Sequence, residues 1–181
     1  MTEKAKNIVL GITGSIAAYK ACDLITALSK KSYNVICITT PEAEEFITPL
    51  TLETLSGNKA YRDMFGLPKK REVTHISLAQ KADLIVLCPA TANIIAKLAA
   101  GICDDLLTST VISSEAPVMI APAMNDKMYK NTITQRNLRE LKKAGHVFIG
   151  PIRGHLACGY EGPGHLADIG QIVKRVEKIL K

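Results

Sequence analysis

Five short apolar runs, separated by segments of helical spacing, constrain the fold of this chain more than any other feature. The runs occupy residues 8–10, 35–38, 84–88, 118–120 and 147–149. Each is too short for a typical helix, and most are rich in β-branched residues, which favours buried strands. Strands that alternate with helices predict a parallel sheet with helices on both faces. We therefore predict one α/β domain over residues 1–181, a doubly wound sheet of the Rossmann-like or flavodoxin-like kind.

The segments between these runs carry recognisable helix signals. Apolar residues recur at helical spacing over residues 15–30, 92–100, 104–113 and 169–180. Thr40-Pro41 and Thr48-Pro49 are typical helix starts, because proline is tolerated at the first helical position. Residues 57–72 are polar and predict a surface excursion. Residues 150–164 are rich in glycine and show no periodicity, which favours a mobile lid.

Composition excludes several classes of protein. The net charge is +6, but the basic residues form separate short clusters and Trp is absent, so we expect no nucleic-acid partner. No run of about 18 apolar residues occurs, so we expect no membrane span. The five cysteines lack metal-ligand spacing, which indicates the reducing cytoplasm and no metal site. We predict that Cys22, Cys37, Cys88 and Cys103 are small buried hydrophobic residues.

A ligand site is expected where the parallel strands end, because open α/β sheets bind ligands beyond their carboxyl edge. After the first strand, Gly11-Ile12-Thr13-Gly14-Ser15-Ile16-Ala17 combines a tight turn, a hydroxyl and the start of a helix. These features favour phosphate, although a tight turn without a ligand is an equal alternative. The segment lacks the Gly-Lys-Ser/Thr ending of a P-loop and is not a full dinucleotide fingerprint.

The end of the second strand argues against a dinucleotide. Dinucleotide-binding domains place Asp or Glu about 20 residues beyond the glycine loop, whereas this chain has Thr39 and Thr40 there. Hydroxyl groups in place of a carboxylate disfavour the binding of NAD, and they suit the phosphate or ribityl chain of FMN. After the later strands, Thr91 is either a helix cap or a ligand contact. Asn125 likewise either caps the next helix or directs its amide at a ligand carboxylate.

Two further residues are candidates for chemistry. His75 precedes the third strand, where a lone histidine is more often a packed or surface group than a catalytic base. Cys158 lies in the glycine-rich segment, and we interpret it as a thiol carried on the lid, with an inert loop cysteine as the alternative.

Together the motifs resemble the homo-oligomeric flavin-containing cysteine decarboxylases, and within them the branch that acts on phosphopantothenoylcysteine. Beyond the glycine turn, the strongest matches are Pro89-Ala90-Thr91-Ala92-Asn93, Gly101-Ile102-Cys103-Asp104-Asp105-Leu106-Leu107 and Pro122-Ala123-Met124-Asn125-Asp126-Lys127-Met128. The resemblance implies FMN-dependent conversion of 4′-phosphopantothenoylcysteine to 4′-phosphopantetheine in coenzyme A biosynthesis. The chain departs from the family pattern at Tyr129, His165 and Leu166, which flank the key residues.

The resemblance also implies roles for individual residues. His75, Asn125 and Cys158 would be catalytic, and substrate would touch Asn125, Ala157, Cys158 and Gly159. The implied FMN contacts are Gly14, Ser15, Ile16, Ala17, Thr39, Thr40, Phe46, Pro89, Thr91, Ala92, Asn93, Ile94 and Met124. The family assembles as trimers or multiples of trimers, so we expect a homo-oligomer. Because 181 residues match the decarboxylase alone, we expect phosphopantothenate–cysteine ligase to be a separate polypeptide.

The chemistry explains why a flavin is needed. Direct loss of CO2 from an N-acyl cysteine leaves an unstabilised carbanion, whereas a thioaldehyde β to the carboxylate accepts the charge on sulfur. Decarboxylation then gives an enethiol, and return of the hydride makes the reaction redox-neutral without NAD. In this hypothesis His75 serves the oxidation, Asn125 holds the carboxylate and Cys158 supplies the proton for reduction.

Three other functions remain open from the sequence. A peptidyl-cysteine decarboxylase or a flavin prenyltransferase would share the FMN segments, although the cysteine lid argues against the prenyltransferase. The non-enzymatic alternative is an FMN-binding regulatory subunit, which would not need His75, Asn125 or Cys158.

Overall fold

The five predicted strands are present in the computed structural model, which describes residues 5–65, 73–155, 157 and 159–181. They are β1 (Asn7–Ile12), β2 (Asn34–Thr39), β3 (Leu84–Ala90), β4 (Val118–Pro122) and β5 (Val147–Phe148). They form one parallel sheet in the order β2-β1-β3-β4-β5. This is the flavodoxin-like strand order, so the predicted fold class is confirmed.

The helices lie between the strands, and most of them begin at a polar capping residue. Thr48, Thr91 and Asp105 cap three of them with side-chain oxygens, which satisfies backbone N–H groups of the first turn. Short 3-10 turns at Ile16–Lys20 and Pro41–Ala43 precede or replace α-helix after β1 and β2. The helices are α1 (Ala21–Ser29), α2 (Pro49–Ser56), α3 (Thr74–Lys81), α4 (Ala92–Ala100), α5 (Leu106–Ile112), α6 (Asp126–Lys130), α7 (Thr132–Lys143) and α8 (Ile169–Leu180).

The hydrophobic core has two layers, one on each face of the sheet. Alternate strand residues point to opposite faces, so Leu10 packs with α1 and α8 while Val9 packs with α4, α5 and α7. Burial on both faces explains why the strands are continuous apolar runs rather than alternating ones. No helix within the described ranges is long and apolar enough to cross a membrane.

The strand order creates a crevice at the carboxyl edge of the sheet. β1 lies between β2 and β3, so the connections that leave β1 and β3 diverge to opposite faces. Such a switch point is where open α/β sheets bind ligands. The glycine turn after β1 and the Thr91 helix start after β3 both lie at this point.

Two features differ from the sequence expectations. Cys103 is exposed and Cys22 is half-buried, so the prediction of four buried cysteines is wrong for both, while Cys37 and Cys88 are buried. Cys103 lies in the connection between α4 and α5 rather than on a packed helix face. The glycine-rich segment also contains regular structure: β6 (Ile152–His155) pairs antiparallel with β7 (Glu161–His165). We call this pair the hairpin.

Candidate functional site

A cavity of about 510 Å³ lies at the carboxyl edge of the sheet. Its volume falls within the roughly 300–1,000 Å³ that is typical of small-molecule sites. Side chains and backbone from four separate parts of the chain meet around it. The lining residues are Gly14, Ser15, Ile16, Ala17, Tyr19, Lys20, Thr91, Ala92, Ala123, Met124, Asn125, Met128, His155, Ala157, Gly164, His165 and Leu166.

One side of the cavity, which we call the floor, consists of the turn at residues 14–17 and the start of α4 at Thr91 and Ala92. Thr13 joins the two parts although it is only 1% exposed. Its hydroxyl donates to the Pro89 carbonyl oxygen at 2.8 Å and accepts the Thr91 N–H at 3.0 Å. Both hydrogen bonds span the switch point, so the floor is fixed by buried polar contacts.

Gly14 and Ser15 shape the first half of the floor. A Cβ atom on Gly14 would lie 2.5 Å from Glu42 Cβ and 3.2 Å from the Glu42 carbonyl carbon, so only glycine fits. The Ser15 hydroxyl accepts the Ala17 N–H at 3.3 Å and thereby caps the 3-10 turn. The backbone of this turn therefore comes close to whatever occupies the cavity.

Thr91 shapes the second half of the floor, and its role as a helix cap is confirmed. Its hydroxyl accepts the Ile94 N–H at 3.4 Å and caps α4, and the residue also lines the cavity. The positive end of the helix dipole of α4 therefore lies at the cavity wall. This arrangement favours an anionic or electron-rich ligand.

The end of β2 carries two threonine hydroxyl groups in different environments. Thr39 donates its hydroxyl to Glu44 at 2.9 Å, and Glu44 also accepts from Arg62 at 2.9 Å. Thr40 is 8% exposed, and its hydroxyl oxygen has no hydrogen-bond partner within the described part of the chain. The Thr40 N–H donates to the Ile12 carbonyl oxygen, which places Thr40 beside the glycine turn. A ligand oxygen at this point would satisfy the buried hydroxyl.

Asn125 lies at the cavity wall where β4 leads into α6. Its Oδ1 accepts the Lys127 N–H at 2.9 Å, so Asn125 caps the helix and its amide orientation is fixed. Its Nδ2 donates to the Tyr160 hydroxyl oxygen at 3.3 Å. The side chain therefore caps α6, one of the two alternatives from the sequence, while it also lines the cavity.

The hairpin forms the other side of the cavity. The Met124 N–H donates to the Gly164 carbonyl oxygen at 3.0 Å. His165 Nδ1 lies 2.9 Å from the Leu166 carbonyl oxygen, and because a carbonyl only accepts, Nδ1 carries the hydrogen. Ala157 and His155 also line this side.

The described residues of the wall carry no aspartate or glutamate. They include Lys20, His155 and His165, beside an otherwise largely apolar lining. Apolar walls with a few basic groups suit a flat ring system that carries an anionic tail. The glycine turn, the helix start, the buried Thr40 hydroxyl and this charge pattern all fit a bound flavin.

Several predicted site residues lie away from the described wall of this cavity. They are Thr39, Thr40, Phe46, His75, Pro89, Asn93, Ile94 and Gly159. His75 lies on α3, which packs against α5, and its Nδ1 is buried without a partner among the described residues. Cys158, predicted to be catalytic, lies outside the described residues.

Sequence reasoning missed several wall residues. Tyr19 and Lys20 face the cavity from the end of the 3-10 turn and Met128 faces it from α6, and helical spacing alone does not distinguish a ligand contact from a solvent contact. His155 and His165, on β6 and β7, also line the wall. Their position in the glycine-rich segment next to the predicted thiol was the signal that could have identified them.

Comparisons with known proteins agree with this geometry. The family model described as "Flavoprotein" matches residues 1–181. A probable phosphopantothenoylcysteine decarboxylase of Streptococcus mutans is 46% identical over 177 residues, covering 97% of this chain and 99% of that protein. The coenzyme A biosynthesis bifunctional protein CoaBC of Bacillus subtilis is 46% identical over 173 residues, covering 96% of this chain. The chain spans only 43% of the length of that bifunctional relative.

Solved structures show the same fold. A cysteine-to-serine mutant of PPC decarboxylase, in complex with pantothenoylaminoethenethiol, superposes with a TM-score of 0.89 at 31% identity, covering 97% of this chain and 98% of that one. The FMN-dependent cysteine decarboxylase SpaF superposes with a TM-score of 0.84 at 30% identity, covering 94% of each chain.

Proposed function

The chain belongs to the flavoprotein family, and from this premise we propose that it is an FMN-dependent decarboxylase of 4′-phosphopantothenoylcysteine. Its products would be 4′-phosphopantetheine and CO2, a step of coenzyme A biosynthesis. The observation that carries the proposal is that the glycine turn, the start of α4 and Asn125 line one cavity. The names of the Streptococcus mutans and Bacillus subtilis relatives support it.

FMN would lie against the floor. Ser15, Ile16 and Ala17 would contact it from the β1 turn, and Thr91 and Ala92 from the start of α4. The unpartnered Thr40 hydroxyl would hydrogen-bond to an oxygen of the cofactor. When bound, FMN supplies a reversible hydride acceptor, and the protein's part is to bind and orient.

The substrate would lie between the floor and the hairpin. The Asn125 amide would donate to its carboxylate and hold the cysteine in one orientation. Oxidation of the CH2–SH group to a thioaldehyde would let CO2 leave with the charge on sulfur, giving an enethiol. Cys158 would then supply the proton when hydride returns to the enethiol, so that the sequence of steps is redox-neutral.

His75 would act on the substrate thiol from a neighbouring subunit. It is absent from the described cavity wall, while Val73 and Ile76, which flank it, are 59% and 38% exposed. Exposed apolar side chains of this kind are typical of subunit interfaces. We propose a homotrimer or an assembly of trimers. Light scattering after gel filtration tests this oligomeric state, and a monomer would contradict it.

The substrate would come from phosphopantothenate–cysteine ligase.

The test of the function is a titration with FMN followed by a product assay. We expect the purified protein to bind FMN, to show a flavin spectrum and to release CO2 from 4′-phosphopantothenoylcysteine. A protein that takes up no FMN would contradict the whole proposal. Release of CO2 only from a peptide ending in cysteine would indicate a peptidyl-cysteine decarboxylase. FMN binding without CO2 from either substrate would indicate a regulatory subunit.

Asn125→Asp tests the role of the amide, and Asn131→Asp is its matched control. Asn131 caps α7 in the same way, accepting the Ile133 N–H at 2.9 Å. Because aspartate also caps helices, both variants should fold. We expect Asn125→Asp alone to lose CO2 release, since two carboxylates would repel each other. Equal activity of the two variants would contradict the proposed carboxylate contact.

A further inference from the structure

The hairpin contacts the Asn125 segment at two points. Near the end of β7, the Gly164 carbonyl oxygen accepts the Met124 N–H at 3.0 Å. Near the turn of the hairpin, the Tyr160 hydroxyl lies between Asn125 and Asp126. Tyr160 therefore joins the part of the hairpin next to Cys158 to the residue proposed to hold the substrate carboxylate.

The direction of these hydrogen bonds is determined by their chemistry. A carboxylate only accepts, so Tyr160 donates its one hydroxyl hydrogen to Asp126 Oδ1, at 2.7 Å. The Tyr160 oxygen then accepts from Asn125 Nδ2, whose own Oδ1 is bound to the Lys127 N–H. The result is a directed chain from the Asn125 amide through Tyr160 to the Asp126 carboxylate.

Asp126 is itself held in place. It is 7% exposed, and the Lys130 ammonium lies 2.9 Å from its Oδ2. The hydrogen bond from Tyr160 and the contact with Lys130 lower the pKa of the Asp126 carboxyl, so it is ionised near neutral pH. Asp126 is therefore a fixed anchor to which the hairpin attaches through one side chain.

We propose that Tyr160 and Asp126 form a latch that holds the hairpin against the Asn125 segment. The latch residues are positioning residues, because they act through Asn125 and the hairpin rather than on the substrate. The kinetic part of this inference rests on the proposed function; the attachment of the hairpin does not.

Tyr160→Phe tests the latch by removing one oxygen atom while keeping the ring. The Asn125 amide remains fixed by Lys127, so in a single anaerobic turnover, with bound FMN as the hydride acceptor, the rate of CO2 release should fall by no more than about threefold. Reduction of the enethiol depends on the hairpin, so in the same turnover the saturated thiol should form roughly 10- to 100-fold more slowly, and the enethiol should accumulate together with reduced FMN. Tyr33→Phe, at the opposite end of the strands, is the matched control and should keep CO2 and thiol formation equal. An unchanged product ratio in Tyr160→Phe would overturn the proposal.

The Asp126 variants separate the latch from a general loss of structure. Asp126→Asn keeps an oxygen that accepts from Tyr160, so we expect it to restore more thiol formation than Asp126→Ala does. If the two variants had the same product ratio, the latch would be excluded.

Hydrogen exchange provides a readout that does not depend on the reaction. In Tyr160→Phe the amides of β6 and β7 should exchange at least about tenfold faster than in the original protein, while β1 and β3 stay protected. Unchanged exchange in the hairpin would overturn the latch. Absence of CO2 release from the unmodified protein would instead refute the proposed function. The comparison of hydrogen exchange between Tyr160→Phe and the unmodified protein would still test the latch.

Discussion

The two sides of the cavity are held together in different ways. The floor is fixed by Thr13, whose buried hydroxyl joins the β1 turn to the β3–α4 connection, and it continues directly into a parallel sheet. The hairpin is a two-stranded unit, a kind of structure that is marginally stable alone in water. It is held against the Asn125 segment through Gly164 and Tyr160. We infer that the floor determines stability and cofactor binding, whereas the hairpin determines turnover.

Gly164→Ala should give the largest effect, and it should appear in turnover. A Cβ atom there would lie 2.1 Å from the Met124 carbonyl oxygen, and the backbone φ of 139° is unfavourable for alanine. The hairpin would have to leave Met124, so we expect turnover to fall by at least about 100-fold. Gly145→Ala is the control, because its φ is also positive but open space surrounds it. Steady-state assays check both; near-normal turnover of Gly164→Ala would mean that the hairpin is not needed in this position.

Thr13→Val should destabilise the whole domain. Valine keeps the shape but leaves the Pro89 carbonyl and the Thr91 N–H unsatisfied, each costing about 1 kcal/mol or more. We expect the free energy of unfolding to fall by about 2 kcal/mol, measured with urea. Thr110→Val is the control, since Thr110 is equally buried but donates to the Leu106 carbonyl within its own helix. If both variants lost the same free energy of unfolding, the Thr13 hydrogen bonds across the switch point would stabilise the domain no more than a hydrogen bond within a helix does.

Gly14→Ala should weaken FMN binding while the hairpin stays in place. The new methyl group would displace the turn from Glu42, so we expect the Kd for FMN to rise about tenfold. This corresponds to a loss of ~1.4 kcal/mol in binding free energy. A fluorescence titration of FMN measures this. Gly57→Ala, where nothing lies within 4 Å of the added atom, should leave the Kd unchanged. Unaltered FMN affinity in Gly14→Ala would place the cofactor elsewhere.

Acid should release the hairpin before the floor, and this is the smallest expected effect. The pKa of Asp126 is lowered in the folded protein. Its ionised carboxylate therefore contributes fully to stability above the ordinary pKa of about 3.9, and this contribution is lost as the pH falls through the pKa of the folded protein. We expect NMR signals of the hairpin to shift below about pH 4 while those of β1 do not.

Asp105→Asn is the control for this titration. Burial raises the pKa of Asp105, but hydrogen bonds from Thr108 and Lys97 outweigh it and lower the pKa overall. Because Asp105 caps α5, its replacement should leave the acid transition of the hairpin unchanged. Asp126→Asn should abolish that transition, and its persistence would show that another group controls it.

Local patterns were enough to predict the sheet, its carboxyl-edge site and the Thr91 and Asn125 helix starts. Contacts between distant residues were not predictable: Thr13 and Pro89 are separated by 76 positions, and Asp126 and Tyr160 by 34. The Cys103 error has another origin: the residue lies between the two helices that the sequence itself predicted, and a position in a connection does not show whether a side chain is buried. The roles of His75 and Cys158 remain predictions, because each depends on groups beyond the described wall of the cavity.

The most direct test of the central claim is the product stoichiometry of the FMN-loaded protein under anaerobic conditions. We predict one CO2 and one 4′-phosphopantetheine for each 4′-phosphopantothenoylcysteine consumed, with oxidised FMN restored and no added NADH. Absence of CO2, or consumption of an external oxidant or reductant in proportion to CO2, would contradict it.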